Sequence, residues 1–443
     1  MRLLYLLLKI LINYPLRMFY PRQKIVNRQR KIFGRTIYVS NHAASFMDPL
    51  VIGSLQLPSV FFMTRSDVFT PMLKPILWMV QMLPIYRQHD GEDTKQRNGE
   101  TFEKCTRVLS SGRNLLIFGE GFTDDIFIRR LKPVKKGAAR IGFGTLEAMS
   151  WKKKVYVVAT GVNYGDPNYL RSDLLISHSE PICLNDYKAA YELNPNKTIN
   201  EVTKKIEQLM QAQITHVQNL NWVFFHAHVS RLLRFGLHPE DTDFSVPLEK
   251  RWQQSRALAL WMNAQQLDEN AELTALKSDL EAYFSPAKLA QFPEKHIADF
   301  ASANQGSRLQ ETAFLALTWP IALLGLVHAY VPYILIKRFA EKTFRRRVFW
   351  SSVKLMLGAT AISLWNIPLV ILLNKFLLHD SNCAIVYFLL IPFTGLTAYL
   401  YARYLQAFKV KGRLQRTDLS ARQQERNALI ARIQQLIPLD FLR

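Results

Sequence analysis

Cysteine is scarce in this chain, with three residues among 443. Cys105, Cys183 and Cys383 lie far apart and in no ligand-like spacing, so neither a disulfide framework nor a zinc site is predicted. We therefore expect reduced thiols and a soluble part that faces the cytosol. The sequence also lacks a GxSxG motif, so no serine or cysteine is predicted to act as a covalent nucleophile.

Acidic side chains are too few to balance the basic ones, 35 against 57, which leaves a formal charge of +22. Such an excess favours a negatively charged partner: nucleic acid, anionic lipid or an acidic substrate. No zinc spacing or RNA-binding signature accompanies the charge, whereas long apolar segments do. The sequence therefore predicts an anionic membrane lipid as a partner and no nucleic acid.

The N-terminal run MRLLYLLLKILINYPLRMFY lacks the features of a signal peptide. Lys9 and Arg17 interrupt it, and no small-residue cleavage site precedes the basic stretch that follows. Apolar residues at helical spacing predict an interfacial helix within residues 1–25, lying on the membrane. A short buried helix is the alternative.

Residues 26–190 alternate short apolar runs with stretches of helical spacing. The runs TIYVSN, VFFMTRS, NLLIFGE and VYVVATGVNYG are typical of buried strands. Helical patterns lie between them, as in SFMDPLVIGSLQL, TKQRNGETFEKCTRVLSSG and PVKKGAARIGFGTLEAMS. Strands that alternate with helices indicate an α/β domain with a largely parallel sheet.

Residues 191–312 are predicted to be a helical region, whose role the sequence does not disclose. TINEVTKKIEQLMQAQITHVQNL has the pattern of an amphipathic helix, with Thr198 to Glu201 as a capping box. His226 and His228 are expected on one face of a strand. Since no carboxylate or cysteine lies near them in sequence, no metal site is predicted.

The motif SNHAASFMDP, from Ser40 to Pro49, carries the strongest chemical signal. It follows the strand TIYV and precedes a helix pattern, so its polar groups are expected at the carboxyl edge of the sheet, where ligands bind. Asp48 would orient the imidazole and stabilise its charged form. His42 could then deprotonate a hydroxyl that attacks a thioester.

At these residues the chain resembles the glycerolipid acyltransferase family, which includes the lysophosphatidate and glycerol-3-phosphate acyltransferases. Four ordered blocks carry the resemblance, which covers about residues 30–190. Asn41, His42 and Asp48 look like the first block, and LPIYR, ending at Arg87, is similar to the second. IFGEGFTDD, with Glu120 and Gly121, looks like the third, and VVATGVNY looks like the fourth.

The resemblance implies direct acyl transfer without a cofactor, from acyl-CoA or acyl carrier protein to a glycerol-phosphate-type acceptor. Arg87 would bind the acceptor phosphate, although a surface arginine is the alternative. Lys135 and Lys136 precede a helix start at Gly137, so they are expected to bind phosphates of acceptor or donor, or to face anionic lipid. Glu120 is expected to accept hydrogen bonds from backbone or from the acceptor hydroxyl.

Two departures from the family pattern stand out. Five residues separate His42 from Asp48 where the family has four, which would rotate Asp48 by about 100° on a regular helix, so a bulge or tighter turn is required. Gly119 replaces the usual proline of the third block. The form NHxxxFxDP resembles a branch with fungal-type glycerol-3-phosphate and dihydroxyacetone-phosphate acyltransferases, which favours the first acylation step.

The last third of the chain is predicted to be a membrane region, residues 313–405, followed by a basic cytosolic tail, residues 406–443. The uncharged segments Ala313–Ile336, Leu355–Leu373 and Cys383–Ala402 are each near the length that crosses a bilayer. The basic loop KRFAEKTFRRR and the basic tail are expected in the cytosol, which makes the last two segments a hairpin. A single crossing by the first segment would separate the catalytic domain from cytosolic acyl donors. We therefore expect that segment, which contains two prolines, to be re-entrant or to lie flat.

The sequence thus predicts a membrane-bound glycerol-3-phosphate or 1-acylglycerol-3-phosphate O-acyltransferase. A remodelling acyltransferase or transacylase for lysophospholipids or lipoamino acids is the alternative within the same chemistry. A non-enzymatic membrane scaffold is the alternative from another class, and the intact histidine, aspartate, arginine and glutamate argue against it.

Overall fold

The computed structural model of the chain describes residues 2–28, 34–55, 59–66, 69–71, 74–85, 94–301 and 308–440. The chain divides into two compact units. The first comprises Met1–His226, Gly236–Pro239 and Phe244–Gln265, and the second comprises Ala227–Phe235, Glu240–Asp243 and Gln266–Arg443.

The described residues of the first unit contain an eight-stranded sheet, whose strands are β1 Arg22–Val26, β2 Thr36–Ser40, β3 Val60–Arg65, β4 Met82–Ile85, β5 Asn114–Phe118, β6 Tyr156–Tyr164, β7 Asp173–His178 and β8 Ile182–Cys183. Their order is β1-β7-β6-β2-β5-β3-β4, and β8 also pairs with β6. All pairs are parallel except β6–β7 and β6–β8. The largely parallel sheet and the four predicted strands, now β2, β3, β5 and β6, are confirmed; the other four were not predicted.

Helices cover this sheet and bury its apolar side chains, which is the main driving force for packing the layers. On one face, Phe143, Ile206 and Met210 belong to a core with Val39 and Leu115 of the central strands. The helices of this unit are α1 Arg2–Phe19, α2 Met47–Leu55, α3 Lys74–Met79, α4 Thr94–Ser110, α5 Gly137–Ala148, α6 Lys188–Leu193, α7 Pro195–Gln213, the start of α8 Val223–Leu232, and α9 Leu248–Asn263.

The start of α7 differs from the predicted capping box. The helix begins at Pro195, and the side chain of Asn194 caps it by accepting a hydrogen bond from Lys197 N. Thr198 already lies inside the helix, where its hydroxyl donates to Asn194 O at 3.1 Å. The box was misplaced because proline at the first helical position starts the helix before Thr198.

The strand predicted for FFHAHVS is wrong, since these residues form α8. His226 Nε2 is hydrogen-bonded to Ser255 O at 2.8 Å, and the ring of His228 stacks on Phe284 with centroids 4.8 Å apart. Burial lowers the pKa of both histidines to about 4, so both are neutral. They are packed side chains of a helix.

The N-terminal helix α1 packs on α2. Tyr5 Oη donates to Gly53 O at 3.3 Å, and Asn13 Nδ2 donates to Ser54 O at 3.0 Å. The opposite side of α1 exposes large apolar residues, namely Leu6, Leu7, Ile10 and Leu11. A helix with one packed face and one exposed apolar face suits a membrane surface, and that location stays a prediction.

In the second unit, short helices pack with the C-terminal helix around buried charges. Tyr283 Oη donates to Glu294 Oε2 at 2.7 Å, and Arg426 Nε donates to Glu294 Oε1 at 2.7 Å. Burial with full pairing is the condition under which such charges are stable inside a protein. The helices are α10 Ala271–Tyr283, α11 Pro286–Gln291, α12 Glu294–Ala301 and, after the membrane helices, α17 Ser420–Leu436.

Among the described residues of this unit, three helices are long and apolar enough to cross a membrane, which fits an integral membrane protein: Leu309–Thr343, Arg347–Leu378 and Ser381–Leu414. They extend beyond the predicted segments at both ends. The first consists of α13 Arg308–Gly325, a π-helical turn at Leu326–Tyr330, and α14 Val331–Thr343. The others are α15 Trp350–Leu373, continued by a π-helical turn, and α16 Ser381–Leu414.

The π-helical turn at Leu326–Tyr330 has a cause in the sequence. Pro332 has no N–H group to donate to the carbonyl of His328, four residues before it. Asn366 Nδ2 on α15 donates to that carbonyl at 2.9 Å, and Trp365 Nε1 donates to Val327 O at 3.2 Å. Side chains of a neighbouring helix thus satisfy backbone groups that lipid could not.

Candidate active site

The candidate site lies at the carboxyl edge of the sheet, where β2, β5 and β6 run side by side in parallel. Asn41 follows β2, and its side-chain amide forms two hydrogen bonds with the backbone of one residue of β6. Its Oδ1 accepts from Val162 N at 2.8 Å, and its Nδ2 donates to Val162 O at 3.1 Å. This double hydrogen bond fixes the backbone that enters His42.

His42 and Asp48 form a hydrogen-bonded pair, with Nδ1 of His42 2.9 Å from Oδ2 of Asp48. The same oxygen accepts from Ala44 N at 2.8 Å. The Asp48 side chain is fully buried, whereas that of His42 is 20% exposed. The imidazole stacks on Phe118 at 4.1 Å between centroids. The ring is therefore fixed on one edge, and its Nε2 lies on the opposite edge.

The extra residue between His42 and Asp48 is absorbed before α2 begins at Met47. Ser45 adopts a left-handed conformation with φ 51°. Met47 N donates to Ala44 O at 3.0 Å, and Asp48 N donates to Ser45 O at 3.2 Å. This tight turn returns Asp48 to His42, so the five-residue spacing does not disrupt the pair.

Tyr164, at the end of β6, is a member of the site to which the sequence assigned no role. Its Oη donates to Asp48 Oδ1 at 2.8 Å, so the carboxylate accepts from three donors. Burial, together with the charge of Asp48, raises the pKa of Tyr164 well above its ordinary value, so the phenol keeps its proton. Strand alternation alone could not show that this side chain reaches α2.

Glu120 holds the backbone of the site together. Its Oε1 accepts from His42 N at 2.7 Å, and its Oε2 accepts from Lys132 N at 3.1 Å. The side chain is buried, and burial raises its pKa although both N–H groups and Lys132 oppose the shift. Glu120 was expected to accept hydrogen bonds from backbone or from the acceptor hydroxyl, and the structure contains those from backbone. The next residue, Gly121, has φ 77°, a conformation that glycine adopts without strain.

We expect Glu120→Gln to destabilise the fold by about 1–3 kcal/mol, because an amide oxygen can replace only one carboxylate oxygen and a buried N–H is left unpaired. The shift in thermal unfolding of the detergent-solubilised protein measures this. Glu103→Gln is the control, since the Glu103 side chain is 71% exposed and its loss should change stability by less than about 0.5 kcal/mol. Equal shifts for both variants would contradict the role of Glu120.

The other predicted binding residues are partly gathered around this centre. The end of the Lys135 side chain packs over Gly121, since a Cβ added to Gly121 would lie 3.3 Å from the Cδ, Cε and Nζ atoms of Lys135. Lys136 is exposed immediately before α5, and Arg87 lies outside the described residues. Gly119 is closely packed, because an added Cβ would lie 3.0 Å from Val39 Cγ1.

A cleft that is open to solvent adjoins the residues on either side of His42. Its lining combines apolar residues such as Phe127, Ile128 and Ile214 with polar and charged ones, among them Asn41, Asn163, Thr215, Arg129 and Arg130. Arg129 itself is structural, since its guanidinium donates to the carbonyls of Tyr164, Gly165 and Leu237. Within the described ranges, no cluster of three potential metal ligands is present.

Residues 23–161 match the family model described as Acyltransferase. Over 110 residues, the chain is 33% identical to glycerol-3-phosphate O-acyltransferase 2 of Saccharomyces cerevisiae. The aligned part is 25% of this chain and spans 14% of the length of that relative. The family-model match falls within the unit that contains the His42–Asp48 pair.

Proposed function

Because this chain carries a domain of the glycerolipid acyltransferase family, we propose that it transfers a fatty acyl group from acyl-CoA or acyl carrier protein to the hydroxyl of glycerol-3-phosphate. The observation that carries this proposal is the His42–Asp48 pair, 2.9 Å apart at the carboxyl edge of the sheet. The yeast relative is named for glycerol-3-phosphate, which favours that acceptor over 1-acylglycerol-3-phosphate.

In the proposed reaction, Nε2 of His42 removes the proton of the acceptor hydroxyl while its oxygen attacks the thioester carbonyl. The carbon–oxygen bond forms, the carbon–sulfur bond breaks, and the proton on His42 passes to the departing thiolate. Asp48 holds Nδ1 protonated and stabilises the imidazolium that forms. The product is an ester and a free thiol, and no oxidant or metal takes part in these steps.

Positive side chains near the pair suit the phosphate of the acceptor or donor. Lys135 packs over Gly121 directly after Glu120, and Lys136 lies at the amino end of α5, where helix N–H groups are unpaired. Arg130 lines the cleft beside the residues that flank His42. We propose these side chains, with Arg87, as the contacts of the anionic substrate groups.

We further propose that the catalytic domain is cytosolic and that the helix Leu309–Thr343 enters and leaves the membrane on that side. Contacts along this helix support the proposal. Its first half follows α16, since Glu311 pairs with Lys411, and the ring of Phe314 lies 4.4 Å from that of Tyr404. Its second half follows α15, where Lys354 bonds Glu341 at 2.7 Å.

The two halves of the helix Leu309–Thr343 diverge from the π-helical turn that joins them. His328, in the π-helical turn, is hydrogen-bonded to Asn366 at 2.5 Å and to Tyr387 at 2.7 Å, near the turn that joins α15 to α16. From there, both halves run toward the open end of that hairpin. The basic loop at residues 337–347 and the basic tail then share one side, which the positive-inside rule assigns to the cytosol.

Labelling of single cysteines in intact cells with a membrane-impermeant maleimide tests this topology. The native Cys383, exposed at the hairpin turn, should react from outside. In a background in which Cys105, Cys183 and Cys383 are all replaced by serine, Glu103→Cys in the first unit and Arg345→Cys in the basic loop should react only after permeabilisation. External labelling at position 345 would indicate three full crossings, and external labelling at position 103 would place the catalytic domain outside the cytosol.

The enzymatic proposal is tested with the purified full chain in detergent, supplied with labelled acyl-CoA or acyl carrier protein. Glycerol-3-phosphate, 1-acylglycerol-3-phosphate and a neutral lysophospholipid are offered separately, beside a mock purification. We expect the highest kcat/KM with glycerol-3-phosphate. A higher kcat/KM with a lysophospholipid would mean that the lysophospholipid, and not glycerol-3-phosphate, is the acceptor. The absence of transfer with every combination of donor and acceptor would contradict the proposal.

A further inference from the structure

We propose that Tyr164 is a positioning residue of the acyl-transfer site, which sets the proton affinity of His42 through the carboxylate of Asp48. The inference rests on the proposed function for its catalytic meaning. It rests on the geometry alone for the effect on His42. Tyr164 lies in β6, 116 residues from Asp48 in the chain, yet its Oη is 2.8 Å from Asp48 Oδ1.

The hydrogen bond divides the Asp48 carboxylate between two tasks. Oδ2 accepts from His42 Nδ1 and from Ala44 N, whereas Oδ1 accepts from Tyr164. Burial and the charge of Asp48 raise the pKa of Tyr164, so the phenol keeps its proton and is the donor in this hydrogen bond. A buried carboxylate that already accepts a hydrogen bond from a phenol is a weaker acceptor for the imidazole N–H. It therefore stabilises the protonated imidazole less.

The position of Tyr164 is fixed from several sides. Its ring packs against Tyr20 at 5.6 Å and Phe127 at 6.3 Å, and its carbonyl accepts from Arg129. The titratable and charged groups that face the His42–Asp48–Tyr164 chain from the elements around it are Tyr20, Glu120, Arg129, Lys132 and Asp166. Of these, Glu120 bonds the backbone of His42, and none bonds the side chain of Asp48 in the described structure.

Removal of the phenol hydroxyl therefore has a predictable sign. In Tyr164→Phe, Asp48 loses one donor and attracts the imidazole proton more strongly. His42 then stays protonated to higher pH, and a protonated His42 cannot accept the proton of the substrate. We expect the acidic limb of the pH–rate profile to move upward by about 0.5 to 1 pH unit.

Two readouts separate this inference from the proposed activity. The first is kcat against pH with the acceptor preferred by the wild type. The second is the rate at which diethyl pyrocarbonate modifies the His42 peptide, followed by mass spectrometry, because the reagent attacks only unprotonated imidazole. The second needs no substrate, so an upward shift in the absence of any acyl transfer would support the role of Tyr164 and contradict the proposed function.

Tyr20→Phe is the matched control. Tyr20 is equally buried and also loses one hydrogen bond, which it donates to Pro167 O at 2.9 Å, but its hydroxyl does not touch Asp48. We expect the two midpoints to stay within about 0.2 pH unit of the wild type in this variant. Equal shifts in both variants, or no shift in Tyr164→Phe, would overturn the inference.

A ring-fluorinated tyrosine incorporated at position 164 keeps the packing and covers the case in which Tyr164→Phe does not fold. Fluorination makes the phenol a stronger donor, so the midpoint for His42 modification should move downward. An unchanged or raised midpoint would contradict a role through Asp48.

Discussion

His42→Ala is expected to lower kcat for acyl transfer by about 10²- to 10⁴-fold, because the acceptor hydroxyl loses its general base. The KM for the acceptor should change little, since the proposed phosphate contacts lie on other residues. The rate should then rise with pH over a wide range, as hydroxide replaces the missing base. Single-turnover measurements with preloaded acyl donor separate this loss from slower binding.

His379→Ala is the control for this variant, because His379 is exposed in the turn between α15 and α16. It should transfer acyl groups at the wild-type rate. The substitution at position 42 also removes the ring that stacks on Phe118, so thermal unfolding of both variants is compared. An active His42→Ala protein with the wild-type pH profile would contradict a general-base role for His42.

Asp48→Asn is expected to lower kcat by about 10²-fold or more, although Nε2 of His42 remains in place. The amide lacks the charge that stabilises the imidazolium. It also has one acceptor oxygen where the carboxylate has two, so it cannot serve His42 and Ala44 on one side and Tyr164 on the other as Asp48 does. In many molecules the imidazole would then adopt the wrong tautomer.

The pairing of the two residues is tested by combining their substitutions. If His42 and Asp48 act as one unit, the double variant should be no slower than His42→Ala alone. Asp279→Asn, which removes an exposed carboxylate paired with Arg432, should leave kcat unchanged. Losses that multiply in the double variant would indicate that Asp48 acts independently of the imidazole.

The pattern of the sequence was sufficient for the main elements of the catalytic unit. Four strands followed from short apolar runs, because strands buried on both faces carry continuous apolar side chains. Strands such as β1 and β4 were not predicted, since RQKIV and MLPI are short and mix polar residues or proline into the run. The helix at His226 and His228 was mistaken for a strand because aromatic and β-branched residues suit both structures.

For the site, the sequence by itself determined the residue types and the strand edge at which they meet. The blocks around His42, Asp48 and Glu120 each follow or enter an element whose end can be located from the pattern alone. The function class follows from those blocks, because their order along the chain is specific although each is short. The membrane helices were likewise determined by composition, since a bilayer core requires a minimum apolar length.

Only the tertiary structure decided how these residues are held. The left-handed turn at Ser45 restores the pair despite the extra residue, and a local pattern does not report such a conformation. Glu120 bonds backbone on both of its oxygens, and Tyr164 reaches Asp48 from a strand distant in sequence. These contacts depend on which strands are neighbours in the sheet. Strand order is set by the packing of the whole domain, and no single segment contains it.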